Sequence, residues 1–200
     1  MAQEIRCTKL VLVEGKDDEL FFDAICQHLG LGDIQFRQIG GKANLRNALR
    51  GVVSDPGFSK VIALGIVLDA DDSFEATFQS VCDALQKVGL PVPTQPMTPA
   101  SGHPRVSVMI LPDAQNPGSL EDVCLKAIAG TPVMKCVDNF FCCLQRHCLP
   151  PPKNLSKAKV HAYLASMPDP DKRLGESAQA GYWDLNHPAF DVLKNFLCSL

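Results

Sequence analysis

Over its first 130 residues the chain alternates short apolar runs with stretches whose apolar positions recur every three or four residues. Residues 8–14 read as a buried strand, and 17–29 as a helix with Leu20, Phe21, Ala24, Ile25 and Leu29 on one face before Gly30. A second strand over 34–39 breaks at Gly40 and Gly41, and 42–53 follows as a helix with Leu45, Ala48, Leu49 and Val52 inward. Residues 60–68 are β-branched and almost uncharged, as a central parallel strand should be. A helix over 74–88 closes at Gly89. Residues 91–104, rich in Pro, Thr, Ser and Gly, form a surface connection. Residues 105–111 return as a strand, 112–118 turn, and 119–129 form a helix. This alternation predicts an α/β fold with a mostly parallel four-stranded sheet and helices on both faces.

The last third changes character. Residues 131–148, 156–167 and 188–200 read as helices, separated by Pro150, Pro151 and Pro152 and by Pro168-Asp169-Pro170. The expected organisation is an α/β domain over 1–130 and a helical annex over 131–200 packed on it. Two hundred residues suffice for one full core. No run reaches the roughly 18 apolar residues of a membrane span, and residues 1–6 lack the layout of a signal peptide. Nine scattered cysteines suit free thiols in a reducing compartment better than a disulfide framework. A cytoplasmic chain without a membrane partner is therefore expected.

The chemistry lies where apolar runs stop at carboxylates. Glu14 ends the first strand, and Asp69 and Asp71 end the third. In an extended backbone Asp69 and Asp71 point to one side, at the carboxyl edge where open α/β sheets place ligands. A carboxylate ending a buried strand caps nothing and costs desolvation. Several such groups together need raised pKa values or a hard divalent cation, Mg²⁺ or Mn²⁺. Asp18 lies four residues after Glu14 and can face the same space, although Asp17, Asp18 and Glu19 also complement the macrodipole at a helix start. Glu121 and Asp122 follow the fourth strand. Asp122, three residues after Ser119, fits a capping box, while Glu121 is available as a ligand.

Taken together, the acids resemble a known pattern. Glu14-Gly15 after one strand and Asp69-Ala70-Asp71 after another resemble the Toprim domain of topoisomerases, primases and the OLD-family nucleases, and Asp18 resembles the extra acid of the OLD variant. The ordered set Val13-Glu14-Gly15-Lys16-Asp17-Asp18, Asp69-Ala70-Asp71-Asp72, Leu111-Pro112-Asp113 and Gly118-Ser119-Leu120-Glu121-Asp122 spans most of the chain. Followed by the stretch from Lys157 to Ala165, it resembles a small bacterial family of stand-alone Toprim-like proteins of unassigned function. The resemblance implies a Toprim-like sheet and metal-dependent phosphodiester chemistry. Glu14 would be ligand or general acid/base, Asp69 and Asp71 Mg²⁺ ligands, and Asp18 and Glu121 the rest of a second site. A late lysine, Lys157 or Lys159, would stabilise charge on phosphate. The ATPase module of the large family members is absent from these 200 residues.

A net charge of −3 and a pI near 5.9 exclude a protein that coats nucleic acid nonspecifically. A local groove remains open: Lys42, Arg46 and Arg50 fall at i, i+4, i+8 with Arg37 before them, a stripe able to track a phosphate backbone or simply the wet side of a helix. Gly40-Gly41-Lys42 is a tight turn and no Walker A motif. Cys136, Cys142, Cys143 and Cys148 around His147 lack zinc-site spacing and, beside Phe140, Phe141 and Leu144, read as small hydrophobes of a buried helix. His161, one turn after Lys157, reads as an ordinary helix histidine. Two functions stay in competition: a Mg²⁺- or Mn²⁺-dependent nuclease, and a noncatalytic Toprim-like scaffold binding metal, nucleic acid or a protein partner. A phosphoacceptor receiver is disfavoured because Leu111-Pro112-Asp113 stands where a hydroxyl residue belongs.

Overall fold

Strands buried on both faces must alternate their side chains between two cores, and four such strands form the sheet. They are β1 (Lys9–Val13), β2 (Ile34–Gln38), β3 (Ala63–Asp69) and β4 (Arg105–Leu111). All pair in parallel, in the order β2-β1-β3-β4, with Val11 opposite both Phe36 and Gly65 and Asp69 opposite Leu111. The computed structural model describes residues 4–200, so half of the reading of residues 1–6 lies outside the described residues. Among the described residues no single helix is long and apolar enough to cross a membrane.

Leu10, Leu12, Leu64, Ile66, Leu68, Val106, Val108 and Ile110 face α2 (Leu45–Val53) and α3 (Phe74–Lys87) in one core. The opposite side chains, Val11, Val13, Ala63, Val67, Met109 and Leu111, pack with α1 (Lys16–Leu29) and α4 (Leu120–Ile128). The annex joins this second core: α5 (Pro132–Arg146), α6 (Leu155–Leu164), α7 (Leu174–Gln179) and α8 (Asp191–Ser199) bury Val137, Val160, Tyr163, Leu174, Phe196 and Leu197 in it. Two glycines let annex helices approach. A Cβ on Gly65 would lie 3.1 Å from the Phe196 ring and 3.3 Å from Leu200. One on Gly175 would lie 2.4 Å from the Asp17 carbonyl oxygen and 2.7 Å from the Leu20 Cβ, so α7 lies directly on α1. Trp183, tilted against the Phe21 and Tyr163 rings, donates its indole N–H to Ser177 Oγ at 2.7 Å, locking α7 into the same cluster.

Several boundaries differ from the expected ones. The strand expected over 60–68 starts at Ala63, because Asp55 accepts from the Gly57 N–H and caps a 3-10 turn over Pro56–Lys60. The helix expected from residue 42 starts at Leu45 after a 3-10 turn over Lys42–Asn44. Helix α7 has six residues, too few for a readable period, and was not expected. The buried-helix reading of the cysteine-rich stretch is corrected: α5 buries Met134 and Val137 alone, while Cys136, Cys142, Cys143 and, just beyond the helix, Cys148 are exposed and Phe140 is 52% exposed. Helix α5 sits at the rim and presents a single stripe to the core. All nine thiols are free.

Gly175→Ala should lower stability by about 1–3 kcal/mol, the usual cost of overpacking. Gly51→Ala, on an exposed helical position with nothing within 4 Å of the new Cβ, should raise it by about 0.5–1 kcal/mol through helix propensity. Urea unfolding of both variants checks the pair.

Candidate functional site

A parallel sheet brings every strand's carboxyl end to one edge, so the acids that end β1 and β3 become neighbours. Glu14 is fixed through its backbone. Gly40 and Gly41, both at positive φ (75° and 95°), donate their N–H groups to the Glu14 carbonyl at 3.2 and 3.3 Å. This tight turn needs glycine for that conformation. The side chain of Glu14 turns into a cleft of about 210 Å³ lined also by Asp17, Asp18, Asp69, Glu121, Lys157 and Leu174. Its Oε2 is buried and has no hydrogen-bond partner among the described residues.

Two helix starts supply the other acids. Asp18 accepts the Gly15 N–H at 2.9 Å in the first turn of α1, and Asp69 accepts the Leu120 N–H at 3.0 Å at the start of α4. The sequence left Asp18 between helix-start charge and ligand; it does the first while lining the cleft. Asp122 accepts from the Ser119 N–H at 2.8 Å in the expected capping box, which turns Glu121 toward the cleft. The second oxygen of Asp122 accepts from the Ser156 hydroxyl at 2.5 Å, tying α4 to the first turn of α6, where Lys157 sits. Lys159 is drawn away by Asp138 at 2.7 Å, so of the two late lysines Lys157 is the one at the cleft. His161 is exposed.

Burial raises the Glu14 carboxyl above its usual range; Lys42 opposes that, Asp71 and Glu121 add to it, and a hydrogen bond accepted from the Asp69 backbone opposes it. Burial first, then the opposed pull of the Gly15 amide and the repulsion of Glu14 and Glu121, leave Asp18 at about 6. Asp69 is pushed up to about 8 by burial and then by Asp18, Glu121 and Glu14. These carboxylates share one electrostatic problem.

Asp71 departs from expectation. It adopts φ +51 and pairs its backbone with Gly118, so the extended geometry that would align it with Asp69 is lost. Its side chain, 63% exposed, meets Lys42 Nζ at 2.5 Å on the α2 side. The basic stripe is also broken: Lys42 goes to Asp71, and Arg37, 11% exposed, is held by Asp55 at 2.6 Å. Arg37 is thus a structural ion pair of the β2 edge and no part of an exposed groove, while Arg46 and Arg50 are exposed on α2. Residues missed by sequence reasoning are Leu174, a cleft wall from the unread α7, and Ser156, whose only signal was its place before Lys157.

The oxygen-only donor set and the orphaned Glu14 oxygen fit a hard divalent cation. As they stand, no three His, Cys, Asp or Glu side chains among the described residues converge on a metal-holding arrangement. Asp18 and Asp69 each hold a helix amide and Asp71 holds Lys42. A larger hollow, about 600 Å³, lies on the annex between Phe141, Leu149, Pro151 and Leu155, away from these acids. The smaller cleft is the functional candidate because the titratable groups are there.

The parallel sheet with helices around it has the Toprim-like fold. Over 98% of its length the chain matches 99% of a solved C-terminal region of the Burkholderia pseudomallei OLD protein, with a TM-score of 0.52 at 11% identity. The C-terminal region of the Xanthomonas campestris OLD protein matches 97% of the chain with a TM-score of 0.40, also at 11% identity, 86% of that region being covered. The Burkholderia region has the Toprim fold, which this chain shares. Residues 8–200 match the family described as "Protein of unknown function (DUF3226)", and the chain belongs to it. No curated protein matches it.

A carboxyl whose pKa is raised on folding contributes stability that is complete below its unfolded value and is lost as pH rises through its folded value. For Asp69 that window runs from 3.8 to about 8. In chelator, thermal stability should therefore fall from pH 5 to pH 8, and Asp69→Asn should flatten the fall and melt higher than wild type at pH 8. Scanning calorimetry across that range measures it.

Proposed function

We propose that this chain cleaves phosphodiester bonds with the help of Mg²⁺ or Mn²⁺, as a nuclease in the broad sense. The observation that carries the reading is the buried, partnerless Oε2 of Glu14 in a cleft lined by four further carboxylates, Asp17, Asp18, Asp69 and Glu121, and by Lys16 and Lys157. Glu14, Asp18, Asp69 and Glu121 would hold the cation, with Asp71 completing the set if it leaves Lys42. Bound there, the cation supplies charge neutralisation and polarisation of a phosphoryl oxygen.

The chain's own groups account for the rest. Glu14 is either a ligand or the general acid/base; in the second role its carboxyl, raised by burial, exchanges a proton closer to neutral pH than an ordinary glutamate and leaves the cation to Asp18, Asp69 and Glu121. Lys157, exposed at the cleft, places an ammonium where charge develops on the phosphate. The N-termini of α1 and α4 both end at the cleft and favour an anionic ligand. Arg46 and Arg50 offer a weak track for a nucleic-acid backbone.

The second reading is a noncatalytic scaffold that binds metal or nucleic acid and works with a protein partner. Favouring it are the unconverged carboxylates and the exposed apolar hollow of the annex.

Wild-type protein with Mn²⁺ should cleave single- or double-stranded substrates. Asp69→Asn and Glu14→Gln should abolish turnover, and Lys157→Ala should lower kcat by about 10²-fold, the scale of losing one charge-stabilising donor. Cation binding by wild type without cleavage would favour the scaffold, and no cation binding would overturn the metal reading.

A further inference from the structure

We infer that Lys42 is an internal counter-ion that competes with the incoming cation for Asp71 and thereby sets how tightly the site is loaded. The inference rests on the metal reading above and adds a regulator to it. Lys42 is not a loose surface lysine. Its side chain is only 25% exposed and lines a hollow with Leu45, Leu68 and Ala70, while the Gly40-Gly41 turn that grips the Glu14 carbonyl delivers it there. Its ammonium reaches Asp71 at 2.5 Å, and of the two ion-paired groups Asp71 is the exposed one, at 63%, with room to turn. A stem anchored on apolar surface leaves the charged head in a defined place.

Lys42 and Asp71 are also the two charged side chains that bear most on Glu14, with opposite sign. At Asp71 the edge thus carries a cationic group of the protein's own. A divalent cation approaching Glu14 meets that like charge, and to recruit Asp71 it must break the ion pair. Once broken, the pair leaves the Lys42 ammonium without its carboxylate.

Isothermal calorimetry with Mg²⁺ and with Mn²⁺ in metal-stripped protein tests this without reference to turnover. Lys42→Met should bind either cation at least about threefold more tightly than wild type, and Lys42→Arg, which keeps the charge, should bind within about twofold of it. Asp71→Asn should bind more weakly, and adding Lys42→Met to Asp71→Asn should give much less tightening than it gives alone, because coupled residues are non-additive. Circular dichroism melts confirm that each variant is folded. Unchanged or weaker binding by folded Lys42→Met overturns the inference alone, as does equal tightening with and without Asp71. Absence of binding by wild type removes the metal reading and this inference with it.

Discussion

Repulsion among carboxylates at one sheet edge is the constraint around which the rest of this molecule is arranged. Parallel pairing of β1 and β3 brings the strand ends that carry Glu14 and Asp69 to one edge of the sheet. Two carboxylates brought to about 4 Å at an effective dielectric near 20 cost about 4 kcal/mol, a large part of the roughly 5–15 kcal/mol that holds a domain folded. The chain relieves this in three ways. Protons are held to higher pH than on ordinary carboxyls, with Asp18 raised to about 6 and Asp69 to about 8 by burial and by their acidic neighbours. Helix amides at Gly15 and Leu120 bind two of the carboxylates. Lys42 neutralises the one that can turn away.

The annex belongs to that arrangement. Helix α7 lies against α1 because Gly175 has no side chain to hold it off, and the Gly175 N–H reaches the Asp17 carboxylate at 3.3 Å. Leu174 then closes one wall of the cleft. Helix α6 is tied to α4 through Ser156 and Asp122, so the side chain that caps α4 also places Lys157 relative to Glu121. Residues that look like local capping in sequence thus connect elements that are distant along the chain.

Fold and site were legible to different degrees. All four strands and the helices flanking them follow from apolar periodicity, which survives because a two-faced buried sheet demands it. Glu14, Asp18, Asp69 and Glu121 meet in one cleft because strand ends and helix starts are themselves readable from sequence. Helix α7 was invisible: six residues cannot display a period, and its stability comes from contact with α1 and Trp183. The cysteines of α5 misled because composition resembles burial, whereas exposure depends on which stripe the neighbouring elements cover.

By itself the amino-acid order determined the alternation of strands and helices, the placing of acids at strand ends and the capping box of α4, all properties of residues a few positions apart. Only the tertiary structure decided where the charged side chains found partners. Arg37 went to Asp55, Lys159 to Asp138 and Lys42 to Asp71. Charge pairing across a fold depends on three-dimensional proximity and on local backbone choices such as the positive φ of Asp71, and neither is encoded in spacing along the chain.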